Sequence, residues 1–163
     1  MIAPASSSDF TESAGAEAPA GPPLIGALLR IPWEAVRHRM LERLHERGFE
    51  DFEPAHLNVF QYPGPNGARP SDLAAQLGMS KQALNYLLGE LERLGYLERR
   101  ADQTDRRSKR IALTRRGGSV VQTIREVVEE VERDWAQQVG PARFDELRTL
   151  LVELNRLVRG EHA

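Results

Sequence analysis

Gln82 and Asn85 carry the most informative chemistry in this 163-residue chain. Each side chain offers a donor beside an acceptor, which suits a bidentate pair with adenine. Lys81 precedes them, and Tyr86, Gly89 and Arg93 follow on the same side of a helical pattern. Glycine at 89 keeps one spot of that face thin enough for close approach by a backbone. A second group lies just downstream. From Glu98 to Arg116 stand eight basic and three acidic residues, a net charge of +5 in a chain whose formal total is −2. The remainder therefore sums to −7. Charge concentrated in this way is the footprint of a surface that meets phosphate. Arg106 and Arg107 sit where they can enter a minor groove. Lys109, Arg115 and Arg116 can reach the phosphate backbone. Phosphate would repel Asp105, so Asp105 is expected to brace an arginine, either Arg99 or Arg107.

The elements that must position these groups are legible around them. Pro70 and Ser71 open a short helix, with Ser71 as its cap and Leu73, Ala74 and Leu77 as its apolar side. Gly78 ends it. Ser80 caps a second helix from about Lys81 to Leu94, in which Leu84, Leu87, Leu88 and Leu91 fall on one face. Gly95 stops it. A strand from Tyr96 to about Arg100, a turn-rich loop and a strand from about Ser108 to Thr114 follow. Thr114 can cap the next helix. This is a helix-turn-helix followed by a basic hairpin, an order that argues for DNA binding. The alternatives are an ordinary solvated helix face and a merely charged hairpin.

Long helices flank this reading head. Leu24 to Arg47 reads as helical, and Pro32 either kinks it or marks its real start. A short helix is expected from Pro54 to Gln61, and a short strand at Ala68 and Arg69. Downstream, one helix runs from Gly117 to about Gln138, and Gly140-Pro141 separates it from a last helix over Ala142–Val158. Leu147, Leu150, Leu151, Leu154 and Leu157 stripe that last helix. Such apolar stripes need a partner, either a second copy of the chain or an intramolecular three-helix bundle.

The run LAAQLGMSKQALNYLLGELERLGYLERR, then DRRSKRIALTRRG, resembles the MarR family of winged helix-turn-helix regulators. Asp105-Arg106-Arg107 and Leu113-Thr114 followed by Gly117 carry most of the likeness, which spans roughly residues 24–160 with the flanking helices. It implies a mainly α fold with a small β wing, a reading head at 54–116, and dimerisation helices at 22–48 and 117–160, all within a domain at 21–163. It also implies a homodimer on a palindromic double-stranded operator, a repressor released by a small aromatic or phenolic molecule. Ser80 to Tyr86 would open the recognition helix, and Arg107 would reach the minor groove. The DNA-binding set is then Ser80, Lys81, Gln82, Asn85, Tyr86, Arg93, Arg106, Arg107, Lys109 and Arg115. An effector cleft between the dimer helices and the reading head would draw on Trp33, Met40, His56, Phe60 and Tyr62. Many members carry a basic residue where this chain has Tyr86, so operator preference does not transfer.

Several classes are excluded or set aside. The sequence holds no Gly-rich phosphate loop, nucleophile elbow or metal-ligand spacing, so neither an enzyme nor a cofactor is expected. Its four histidines are scattered and it has no cysteine for a disulfide or thiol sensor. Residues 1–20 lack a signal-peptide pattern and read as a disordered arm on a cytoplasmic protein. A DNA-bridging structural protein without effector control remains the competing reading.

Overall fold

Apolar residues at helical spacing and a glycine behind each early helix set the architecture. The computed structural model describes residues 21–61, 64–102 and 109–160. Along them run α1 (Ile25–Glu46), a single 3-10 turn (His56–Asn58), α2 (Pro70–Gln76), α3 (Lys81–Arg93), β1 (Leu97–Ala101), β2 (Lys109–Leu113), α4 (Arg115–Val139) and α5 (Pro141–Arg159). This is the mainly helical fold with a two-stranded wing that the sequence implies. The expected disordered arm at 1–20, Tyr62, Asp105, Arg106 and Arg107 lie outside the described residues.

Three helix ends share one device. Gly48, Gly78 and Gly95 all have positive φ, which glycine adopts without steric cost. Behind α2, Gly78 N–H donates to Ala75 O and Met79 N–H to Ala74 O, and the same pair recurs behind α3 from Gly95 to Glu92 and Tyr96 to Leu91. These bonds satisfy carbonyls the helix leaves open and swing the next residue back to the core. Tyr96, delivered this way, is fully buried.

Some local expectations need correction. Ser71 is not the cap of α2. Pro70 takes the first helical position, where its missing N–H costs nothing, and Arg69 is the extended residue before it. Ser71 Oγ instead donates to Asp72 Oδ1 at 3.0 Å. The helix expected over 54–61 is only a 3-10 turn, with successive bonds from residue i+3 to i between Glu53 and Phe60. Threefold spacing stacks His56 over Val59 and Leu57 over Phe60, so all four bury together. Ala68 is tied to the wing by Gly67 N–H to Ile111 O at 2.7 Å and Ile111 N–H to Ala68 O at 2.9 Å. No third strand forms, and the sheet has two strands among the described residues. Pro32 lies inside α1, which begins before it at Ile25.

β1 and β2 pair antiparallel, with Leu97 opposite Leu113 and Arg99 opposite Ile111. Leu97 and Ile111 point inward and join one core with Leu44, Phe52, Leu73, Leu88, Leu91, Val120 and Val127. Each such side chain contributes roughly 1.5–3 kcal/mol by leaving water. α1 and α4 pack antiparallel and are laced along one edge. Arg39 meets Asp134 at 3.1 Å, Arg43 meets Glu130 at 3.2 Å and Arg47 meets Glu126 at 2.6 Å, one rung per helical turn. α5 folds back on α4, with Arg148 at 3.1 Å from Glu132. No described residue of α5 is buried. Among the described residues no helix is long and apolar enough to cross a membrane.

Candidate nucleic-acid interface

α3 is held rigidly from one side and is open on the other. Ser80 Oγ accepts Ala83 N–H at 3.1 Å and fixes the first turn. Leu84, Leu87, Leu88 and Leu91 are buried. Lys81, Gln82, Asn85, Tyr86, Gly89 and Arg93 are exposed. The space above Gly89 is empty to 4 Å. The side chains of Lys81, Gln82 and Arg93 make no hydrogen bond or ion pair among the described residues. Asn85 Oδ1 accepts from Arg99 Nη2 at 3.4 Å, and the Tyr86 hydroxyl donates to Glu90 Oε1 at 3.2 Å. The first turns of α3 thus present a donor-rich face on which Lys81 and Gln82 are unengaged among the described residues.

The wing's charge divides into two groups. Arg99 Nε lies 3.3 Å from Glu92, so the described brace on Arg99 comes from α3. The bracing carboxylate expected there, Asp105, lies outside the described residues. Arg100 pairs with Glu98. Arg110 reaches Asp102 at 3.0 Å and Gly67 O at 2.7 Å. Arg116, expected at the phosphate backbone, is turned inward. It donates to Leu94 O at 2.6 Å and Asp51 at 2.8 Å, and its guanidinium lies 4.3 Å from the centre of the Tyr96 ring. Lys109 and Arg115 are exposed and make no such bond among the described residues. The +5 of the sequence therefore overstates the charge facing solvent.

Two polar joints were missed in the sequence. Asp102 is only 2% exposed and is gripped by Arg69, at 2.8 and 3.0 Å, and by Arg110. It locks the end of β1 to the residue that opens α2. The only hint was a basic residue just before Pro70. The second joint ties Asp51, Tyr96 and Arg116, with the Tyr96 hydroxyl donating to Asp51. Burial, with the bond to Asp51, pushes the Tyr96 phenol well above its ordinary value. Burial pushes the Asp51 carboxyl up too, but the bonds from Tyr96 and Arg116 outweigh it and hold it low. This joint fastens the end of α3 to the start of α4 and to the segment after α1.

Of the residues expected at an effector cleft, three are buried, Trp33 is exposed and Tyr62 lies outside the described residues. Met40 and Phe60 belong to the core. His56 is 3% exposed, stands edge-on to Phe52 with centroids 5.3 Å apart, and accepts Glu53 N–H at Nδ1, 2.9 Å away. Burial lowers its pKa against the opposing pull of Glu90, Glu53 and Asp51, which keeps the ring neutral near pH 7. Trp33 is exposed, 5.7 Å from the Arg37 guanidinium. A cavity of about 640 Å³ opens elsewhere, between the end of α1 and the start of α4, lined by Arg47, Phe49, Arg115, Gly118, Ser119, Gln122 and Thr123.

A capped helix with a free polar face, beside a basic two-stranded hairpin, defines a winged helix-turn-helix DNA-binding protein. The model of the MarR family matches residues 51–108. The transcriptional regulator Tm0710 from Thermotoga maritima is 27% identical, with 83% of this chain and 94% of that one covered at a TM-score of 0.55. A MarR transcriptional regulator from Methanosarcina mazei Go1 is 17% identical over 85% of this chain and 98% of its own, at a TM-score of 0.68. The transcriptional repressor CouR, solved bound to a 23-mer DNA duplex, is 22% identical over 82% and 93%, at 0.62. Residues 51–108 thus match the MarR family, and the chain shares the fold of MarR-family transcriptional regulators.

Proposed function

We propose that the protein is a homodimeric, sequence-specific repressor that reads a palindromic operator and releases it when a small aromatic or phenolic molecule binds. The observation that carries the reading is the outward face of α3, where Lys81, Gln82 and Arg93 are exposed and unengaged among the described residues. Residues 54–116 form the reading head, and 22–48 with 117–160 the dimerisation helices. Gln82 and Asn85 meet base edges. Ser80 keeps a hydroxyl hydrogen to donate, and Lys81, Arg93, Lys109 and Arg115 meet phosphate. Arg106 and Arg107 lie in the minor groove, and Asp105 braces an arginine of the wing, Arg99 or Arg107. The repressor CouR and a MepR variant, both solved with DNA, support the docking. Release by a ligand rests on the family resemblance, and Trp33 is the exposed member of its candidate set.

Gln82→Ala and Arg107→Ala separate base reading from phosphate attraction. Losing Gln82 should cost roughly 1–3 kcal/mol of discrimination between operator and scrambled DNA. Losing Arg107 should weaken both together and lower the slope of log affinity against log salt by up to about 0.9 per phosphate contact. Titrations at several salt concentrations read both effects. Equal losses of discrimination in the two variants would contradict the assignment.

A further inference from the structure

The recognition helix carries one polar contact that its folding does not require. The Tyr86 hydroxyl donates to Glu90 Oε1 at 3.2 Å, one turn along α3. The other carboxylate oxygen of Glu90 lies 3.9 Å from His56 Nε2. His56 Nδ1 accepts the Glu53 amide, so in the neutral ring the proton must sit on Nε2, facing Glu90. Glu90 thus has the buried imidazole 3.9 Å behind it and accepts, in front, from a phenol that is 67% exposed. The phenolic proton points along the helix, and the oxygen's lone pairs are left facing outward.

That arrangement changes what Tyr86 can recognise. A phenol whose proton is engaged cannot donate to phosphate, and the Glu90 charge beside it repels phosphate. It can accept. In the major groove the donors are the exocyclic amino groups, N6 of adenine and N4 of cytosine. Gly89, between Tyr86 and Arg93 on this face, leaves open space through which a base edge can approach. We propose that Tyr86 reads an amino-bearing base as a hydrogen-bond acceptor, and that Glu90 is the positioning residue that makes it one. The inference rests on α3 being the recognition helix.

The test measures affinity of the full chain for its selected operator with each half-site position changed to all four bases. Wild type should favour adenine or cytosine at one position by about three- to tenfold per half-site, the worth of one neutral hydrogen bond. Tyr86→Phe should erase that preference. Glu90→Ala frees the hydroxyl to donate as well as accept, so the preference for adenine or cytosine over guanine or thymine should shrink toward parity. In a Tyr86→Phe background, Glu90→Ala should not move it. Wild-type base preferences retained in Tyr86→Phe at every position would overturn the proposal alone, as would a Glu90→Ala shift that persists without the hydroxyl. A wild-type chain that selects no motif would overturn the recognition-helix reading and this proposal with it.

Discussion

Gly117→Ala is expected to destabilise the protein by about 3 kcal/mol or more, although alanine is the better helix former. A Cβ at 117 would overlap the carbonyl oxygen of Tyr96 and stand 3.2 Å from Leu113 Cδ2. Backbone cannot give way as a flexible side chain can. The same carbonyl accepts Thr114 N–H at 3.1 Å, and Thr114 Oγ1 donates to Gly95 O at 2.6 Å while accepting Gly117 N–H at 3.1 Å. Separating these groups would open the joint between the wing, α3 and α4. Gly118→Ala is the control, because nothing lies within 4 Å of its added carbon. It should stabilise the protein by roughly 0.5–1 kcal/mol. Urea unfolding of the two variants should therefore give shifts of opposite sign. A mild or stabilising effect at 117 would contradict the close approach.

Leu150→Asp and Leu154→Asp are expected to break the proposed dimer, leaving monomers or unfolded chain. On one chain these residues are 56% and 39% exposed, and Leu157 is 66% exposed. Leu24, Ile25, Leu28 and Ile31, at the start of α1 and just before it, are exposed too. A monomer would leave all this apolar surface in water. If a second copy covers it, an aspartate there is a buried, unpaired carboxylate. Dissociation should then lower operator affinity about 100-fold or more, since the second half-site loses its tether. Sedimentation at micromolar concentration should give twice the 18.3 kDa chain mass for wild type and the chain mass for either variant. Wild type sedimenting as a single 18.3 kDa species would refute the dimer.

The features legible in the sequence are those set by neighbours along the chain. The leucines of α3, the Ser80 and Thr114 caps and the glycine stops depend on residues at most a few positions away. Roles fixed by distant partners were not legible. Arg116 reads as another wing cation until Asp51, 65 residues earlier, turns it inward. Asp102 reads as a loop acid until Arg69 and Arg110 close over it. The 3-10 turn at His56 follows from four side chains sharing one core, which helix periodicity does not encode. The leucine stripe of α5 was legible as apolar, but no described residue of that helix is buried within the single chain.

Selection of DNA by the full-length protein from a random double-stranded pool tests the central claim most directly. The account predicts one enriched palindromic motif whose half-site centres lie about 10 base pairs apart, or a multiple of that, as a dimer with one α3 in each major groove requires. A pool that stays random, or a motif without dyad symmetry, would contradict it.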